Sequence, residues 1–163
     1  MSYRIRRISP LDQPTLWEML YHSLYVPDGS APFPRDIINR PEIAMYVEEW
    51  GRAGDLGFLA IESTTDQPIG AAWLRLLNGE QKGYGYVDDE TPELGIAVLP
   101  EYRGKGIGMA LVARLLTAAA AVYQRISLSV SFDNPAMRLY ERAGFEKVAV
   151  RCSSITMVKQ ICD

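Results

Sequence analysis

The sequence predicts an α/β fold, of the α+β kind: a mixed central sheet of about seven strands with helices on both faces. Three observations carry that expectation. Stretches with period-two and period-3.6 patterning follow one another in the order strand, two helices, three strands, helix, strand, helix, two strands. An apolar run, Leu94-Gly95-Ile96-Ala97-Val98-Leu99, leads through a glycine-rich turn into a long helical pattern, the signature of a strand-turn-helix unit. The chain has 163 residues, 48% apolar and 23% charged, which suits a single domain over residues 1–163 with a sizeable core.

The elements follow in order. Residues 3–8 alternate apolar and basic side chains and read as a strand. Ser9 is a good N-cap, Pro10 suits the first helical position and Asp12 follows, so a helix opens there, with Leu16, Met19, Leu20 and Leu24 on its apolar face. Residues 27–34 are rich in proline and glycine and form a loop. Ile43, Tyr46, Val47 and Trp50 fit helical spacing, predicting a second helix over 41–50 that Gly51 can end. Residues 56–62 and 69–77 read as strands across the turn at 63–68. A polar connection, 78–91, contains Gly79, Gly83 and Gly85 and ends in Asp88-Asp89-Glu90. Then come a strand at 93–98, a helix at 106–121, a strand at 126–130, a helix at 135–143 closed by Gly144, and strands at 145–150 and 154–158.

Composition excludes several classes. A net charge of −3 argues against bulk nucleic-acid binding, which needs a basic surface. No apolar run approaches the ~20 residues of a membrane span. The basic N-terminus lacks the apolar core of a signal segment. Cys152 and Cys162 are too few for a disulfide framework or a metal site. A cytoplasmic protein with free thiols, no metal and no membrane partner is expected.

The turn after the fourth strand, Arg103-Gly104-Lys105-Gly106-Ile107-Gly108, is the most informative stretch. Its glycines leave backbone N–H groups unshielded at a helix N-terminus, where unpaired donors and a partial positive charge favour phosphate. Arg103 and Lys105 add charge, although both could equally be solvated surface residues. A Walker loop needs lysine directly after its last glycine, but here Lys105 precedes Gly106. A dinucleotide fingerprint needs G-x-G-x-x-G/A, and its third place falls on Met109 or Leu111.

The turn does match R/Q-x-x-G-x-G/A, through Arg103, Gly106 and Gly108. A second block follows, Asn134-Pro135-Ala136-Met137-Arg138-Leu139-Tyr140-Glu141-Arg142-Ala143-Gly144-Phe145. Together, in this order, the two blocks resemble the signatures of the GNAT superfamily of acetyl-CoA-dependent N-acetyltransferases. The resemblance covers residues 93–145 and implies a GNAT-like fold with acetyl-CoA as cosubstrate and no metal. It implies that backbone N–H groups of Arg103, Gly104, Lys105, Gly106, Ile107 and Gly108 hold the CoA pyrophosphate. It implies too that backbone near Ala97 and Val98 faces the pantetheine and the acetyl oxygen, with the N–H of Val98 the first choice. Asn134 resembles the residue that reaches the pantetheine amides, and an N-cap role competes with that reading.

Acetyl transfer also needs a proton donor for the departing thiolate and a base for the ammonium, whose pKa near ~10 leaves it protonated at neutral pH. Tyr140 stands where the resemblance places such a donor; a core tyrosine is the alternative. Glu93, at the start of the strand entering the acetyl site, is the candidate base, against a solvent-facing residue at a strand edge. Glu62, Asp89 and the single histidine, His22, are poorer candidates, and Ser129 or Ser131 could bond cofactor or substrate.

The acceptor is the open question. Tyr25, Phe33, Tyr46, Trp50, Trp73, Tyr84 and Tyr86 offer aromatic walls, and Asp88, Asp89 and Glu90 could attract a cation, although a solvated turn is the simpler account. The expectation is a small-molecule amine or a peptide N-terminus. A protein or peptide N-terminal acetyltransferase is the enzyme alternative, and a non-catalytic acyl-CoA-binding regulatory module the non-enzyme one. A homodimer through the last strands is compatible with the pattern, but no residue specifies it.

Overall fold

The computed structural model describes residues 1–162. Seven strands form one mixed sheet: β1 (Tyr3–Arg7), β2 (Leu56–Glu62), β3 (Pro68–Arg75), β4 (Glu93–Val98), β5 (Arg125–Ser131), β6 (Glu146–Arg151) and β7 (Ser154–Gln160). Their spatial order is β1-β2-β3-β4-β5-β7-β6. Every neighbouring pair is antiparallel except β4 and β5, which run parallel. β2 is buried along its whole length and β3 almost so, and their near-continuous apolar sequences reflect cover on both faces.

One face carries α1 (Gln13–Ser23) and the segment around α2 (Pro41–Ala44). Leu16, Met19, Val47 and Trp50 pack there on Leu59, Ala71, Trp73 and Ala97. The other face carries α3 (Ile107–Ala119) and α4 (Met137–Arg142). Ile107, Leu111 and Leu115 pack there on Phe58, Ala72, Leu128 and Val130, with Tyr140 and Phe145 in the same cluster. Layers on both faces are what the order of elements predicts.

The start of α1 also follows the sequence. Ser9 accepts from the Leu11 N–H at 3.3 Å, and Asp12 accepts from the Ser9 N–H at 2.8 Å. That reciprocal cap opens a short 3₁₀ turn at Pro10–Asp12 which runs into α1. Arg6 on β1 adds an ion pair to Asp12 at 2.8 Å.

The helix expected over 41–50 is a correction. Only Pro41–Ala44 is α-helical, and the chain then tightens, with Tyr46 donating to Ile43 O and Val47 to Ala44 O. Glu49 turns to φ +53° and Gly51 to φ +118°. The cause is tertiary: the buried Arg75 guanidinium takes the Met45 and Glu48 carbonyls, at 3.0 and 2.6 Å, removing them from any helical ladder. The helix expected from 135 likewise begins as a turn, because Asn134 caps the Ala136 N–H at 2.9 Å; Gly144 ends it at φ +100°.

Candidate active site

The site begins with a defect in the sheet. β4 is held by β3 from Glu93 to Val98, and β5 is held by β7 from Arg125 to Ser131. Between β4 and β5 a single residue pair is in register, Glu93 with Ser127, after which the strands part. The Leu99 N–H donates to Ile69 O on the β3 side at 2.9 Å. Alternation along the strand therefore turns the backbone of Ala97 toward β3, and that of Ile96 and Val98 into the gap. The Val98 amide therefore faces the gap. The Ala97 amide does not.

The gap opens onto the glycine turn. Gly104 and Gly106 sit at φ +75° and +83°, where an L residue costs about 1–2 kcal/mol. A Cβ at either would meet nothing within 4 Å, so backbone conformation, and not crowding, calls for glycine. Gly106 caps α3 with no side-chain hydrogen bond. The first N–H groups of this 13-residue helix are thus uncapped by protein and carry the positive end of its dipole.

A cavity of about 870 Å³ joins gap and turn. Val98, Arg103, Gly106, Gly108, Asn134 and Tyr140 line one side, with Ala97, Gly104 and Ile107 alongside. The segment after α1 closes the other, where the Tyr25 hydroxyl reaches across to Asp133 O at 3.1 Å. Arg103 donates to Val98 O at 2.9 Å and to His22 O at 3.4 Å, linking the end of β4 to α1. Lys105 is exposed, outside the lining, its ammonium 5.5 Å from the Tyr102 ring centroid.

Tyr140 is buried, edge-on to Phe145 at 6.1 Å between ring centroids. Its hydroxyl has no hydrogen-bond partner among the described residues, and burial pushes its pKa above the ordinary phenol value. It therefore stands in the cavity wall as a protonated phenol. Asn134 spends its carbonyl oxygen on the Ala136 cap and keeps its amide nitrogen free while lining the cavity.

Glu93 stands apart from this lining, at the closed end of the gap. It is 2% exposed, so the solvent-facing alternative is wrong. Oε1 accepts from the Tyr46 hydroxyl at 2.9 Å and from the Gly85 N–H at 2.8 Å. Oε2 is buried beside Gly83 without a well-formed hydrogen bond. Burial raises the carboxyl pKa above its ordinary value, against the opposing pull of these donors. Gly83 and Gly85 are the residues that the sequence reading missed as parts of a site, and Tyr46, offered there as an aromatic wall for the acceptor, instead bonds Glu93. The two glycines were the available signal, since glycine marks close backbone approach.

The other candidates are engaged elsewhere. Glu62 accepts from Thr65 and from the Thr64 and Thr65 amides in the β2–β3 turn. His22 pairs with Glu18 at 3.0 Å. Asp88 pairs with Arg125, and Asp89 accepts from the Tyr86 hydroxyl at 2.6 Å, so the acidic turn is largely spent on local bonds. Ser129 and Ser131 are half-buried on β5. Among the described residues, no helix is long and apolar enough to cross a membrane.

Comparison with known proteins agrees with this geometry. The family model described as acetyltransferase (GNAT) family matches residues 17–145. The chain is 30% identical over 148 residues to the SPbeta prophage-derived uncharacterized N-acetyltransferase YokL of Bacillus subtilis strain 168, covering 88% of this chain and 75% of that protein. The chain therefore belongs to the GNAT family of acetyltransferases. Its fold is shared with the ribosomal-protein-S18-alanine N-acetyltransferase of Escherichia coli, with a TM-score of 0.69 at 18% identity over 99% of this chain and 96% of that one. It is shared also with a phosphinothricin acetyltransferase of Sinorhizobium meliloti solved with acetyl-CoA, with a TM-score of 0.70 at 19% identity over 98% and 89% of the two chains.

Proposed function

We propose that this chain, acting as one domain over residues 1–163, moves the acetyl group of acetyl-CoA to a primary amine. One observation supports this most: a strand edge left bare by the parting of β4 and β5 runs straight to an uncapped helix N-terminus. An extended pantetheine arm can pair with Ile96 and Val98 while the pyrophosphate rests on the amides of residues 103–108. Arg103 adds charge, and the free amide nitrogen of Asn134 faces the arm. The Val98 N–H, with that of Ile96 deeper in the gap, polarises the thioester carbonyl where negative charge develops.

In the reaction Glu93, which lies outside the cavity lining, takes one proton from the ammonium through intervening water and passes it on to solvent. The free nitrogen attacks the acetyl carbon, and the C–S bond breaks. Tyr140 gives its proton to the sulfur and regains one from the acetylated nitrogen. Acceptors named for structural neighbours are an alanine of ribosomal protein S18 and phosphinothricin, and each offers an amine nitrogen. A small-molecule amine or a peptide N-terminus is the class of acceptor we assign here.

Calorimetry with CoA and with ATP tests the donor: CoA must bind more tightly, and equal or tighter ATP binding refutes it. Thiol release from acetyl-CoA across a panel of amines and alanyl peptides tests turnover. Tyr140→Phe should lower kcat by about 10²-fold or more, as expected for a lost general acid, with CoA affinity unchanged. An unchanged kcat removes Tyr140 from the mechanism. CoA binding with no turnover on a broad panel favours the acyl-CoA-binding regulatory module.

A further inference from the structure

The carboxylate of Glu93 is held more closely than a base needs for solubility or packing alone. Tyr46 donates to Oε1 and itself accepts the Tyr84 N–H at 2.9 Å, so one phenol joins the 41–50 segment, the 78–91 connection and β4. Gly85 adds a second donor to Oε1. A Cβ at Gly83 would lie 1.9 Å from Oε2, and one at Gly85 would lie 3.0 Å from Oε1 and 2.7 Å from the Leu128 backbone. The connection therefore wraps the carboxylate in backbone at two successive glycines.

We propose that Tyr46 is a positioning residue for this reaction, which with the Gly83–Gly85 turn fixes the Glu93 carboxylate through Oε1 and backs Oε2 against the Gly83 backbone. The proposal rests on Glu93 being the base. Burial and the neighbouring carboxylate push the Tyr46 phenol well above its ordinary pKa, so it remains a donor throughout the working range. The other groups facing Glu93 are fixed or distant in effect. Arg75, opposite it on β3, is committed to Asp55. Arg151 of β6 favours the charged carboxylate weakly. Ser127, its partner on β5, has a buried hydroxyl with no hydrogen bond of its own.

The sign follows from the donor. A hydrogen bond to the ionised form lowers a carboxyl pKa, so removing it must raise that pKa further. Tyr46→Phe should make Glu93 about tenfold more avid for its proton, the scale of one hydrogen bond to a charged group. The titration is read by NMR on protein labelled with ¹³C-carboxyl glutamate, the Glu93 resonance being identified by its loss in Glu93→Gln. Where an alanyl peptide, phosphinothricin or spermidine is acetylated, the acidic limb of kcat/KM should move to higher pH by the same amount, with CoA affinity unchanged. Should Tyr46→Phe not fold, as judged by circular dichroism and CoA binding, Gly83→Ala is the second variant: it should alter the Glu93 titration at unchanged CoA affinity. An unmoved Glu93 titration in the folded variant overturns the positioning role. Full turnover in Glu93→Gln overturns instead the assignment of the base, a separate outcome.

Discussion

Asp55→Ala should be among the most damaging single substitutions in this chain. Arg75 is 1% exposed, and its five donors are nearly all spent. Nε and Nη2 grip Asp55 at 3.0 and 2.8 Å, and Nη1 takes the Met45 and Glu48 carbonyls. The guanidinium also lies 5.4 Å from the Trp50 ring centroid. Asp55 in turn accepts from the Gly51 and Arg52 amides at 3.0 and 2.9 Å. Removing the carboxylate strands a buried cation and two backbone donors, which costs about 3–5 kcal/mol. At roughly 2–4 °C per kcal/mol for a chain of this size, Tm should fall by about 6–20 °C. Urea unfolding followed by circular dichroism measures the loss. Replacing both partners by apolar residues, Arg75→Met with Asp55→Leu, should recover only the part owed to the unpaired charge, since the Gly51 and Arg52 amides and the Met45 and Glu48 carbonyls still lose their partners. A loss under about 1 kcal/mol for Asp55→Ala would refute the account of Arg75 as the post that shapes residues 45–51. Because Tyr46 lies between the two carbonyls that Arg75 holds, the single substitution should also loosen Tyr46 from Glu93 and slow turnover at temperatures where the protein is still folded.

Two further outcomes concern pH. The Thr65 hydroxyl and the Thr64 and Thr65 amides hold Glu62 down to about 2. Its depressed value gives stability that is fully present above the ordinary carboxylate pKa and is lost as pH falls toward 2; wild type should lose its urea-midpoint advantage over Glu62→Gln across that window. Glu93 has the opposite sign. Its raised value means the folded state binds the proton more tightly than the unfolded, so stability is fully present below the ordinary carboxylate pKa and falls as pH rises from there through the raised value. Glu93→Gln should therefore raise Tm at neutral pH while abolishing acetylation, and a lowered Tm there would show that the carboxylate is better solvated than its burial indicates.

Much of this was legible in the chain, for identifiable reasons. Strands β2 to β5 and helix α3 announce themselves because their apolar periodicity and their glycine punctuation are local properties. The glycine turn before α3 is legible for the same reason: Gly104 and Gly106 are demanded by their own φ angles. Residues 41–50 mislead because the force that unwinds them comes from Arg75, 27 to 30 positions away on β3. The Tyr46–Glu93 bond spans 47 positions and could not be read from spacing. The parting of β4 from β5 has no sequence signal at all, since each strand looks complete and each is in fact paired along its outer edge.

That last point explains how the gap can exist in a folded protein. A bare strand edge inside a sheet ordinarily closes, because unpaired amides are costly. Here β4 and β5 are each anchored on the side away from the gap, so closing it would mean bending two fully paired ladders. The floor resists as well. Gly108 lets the start of α3 come so close that a Cβ there would lie 3.1 Å from Leu139 and within 3.8 Å of Ile96 and Val98. Those side chains belong to the cluster that includes Tyr140, so the apolar floor of the gap and Tyr140 are packed as one unit. Arg103 meets part of the remaining need by bonding the Val98 carbonyl.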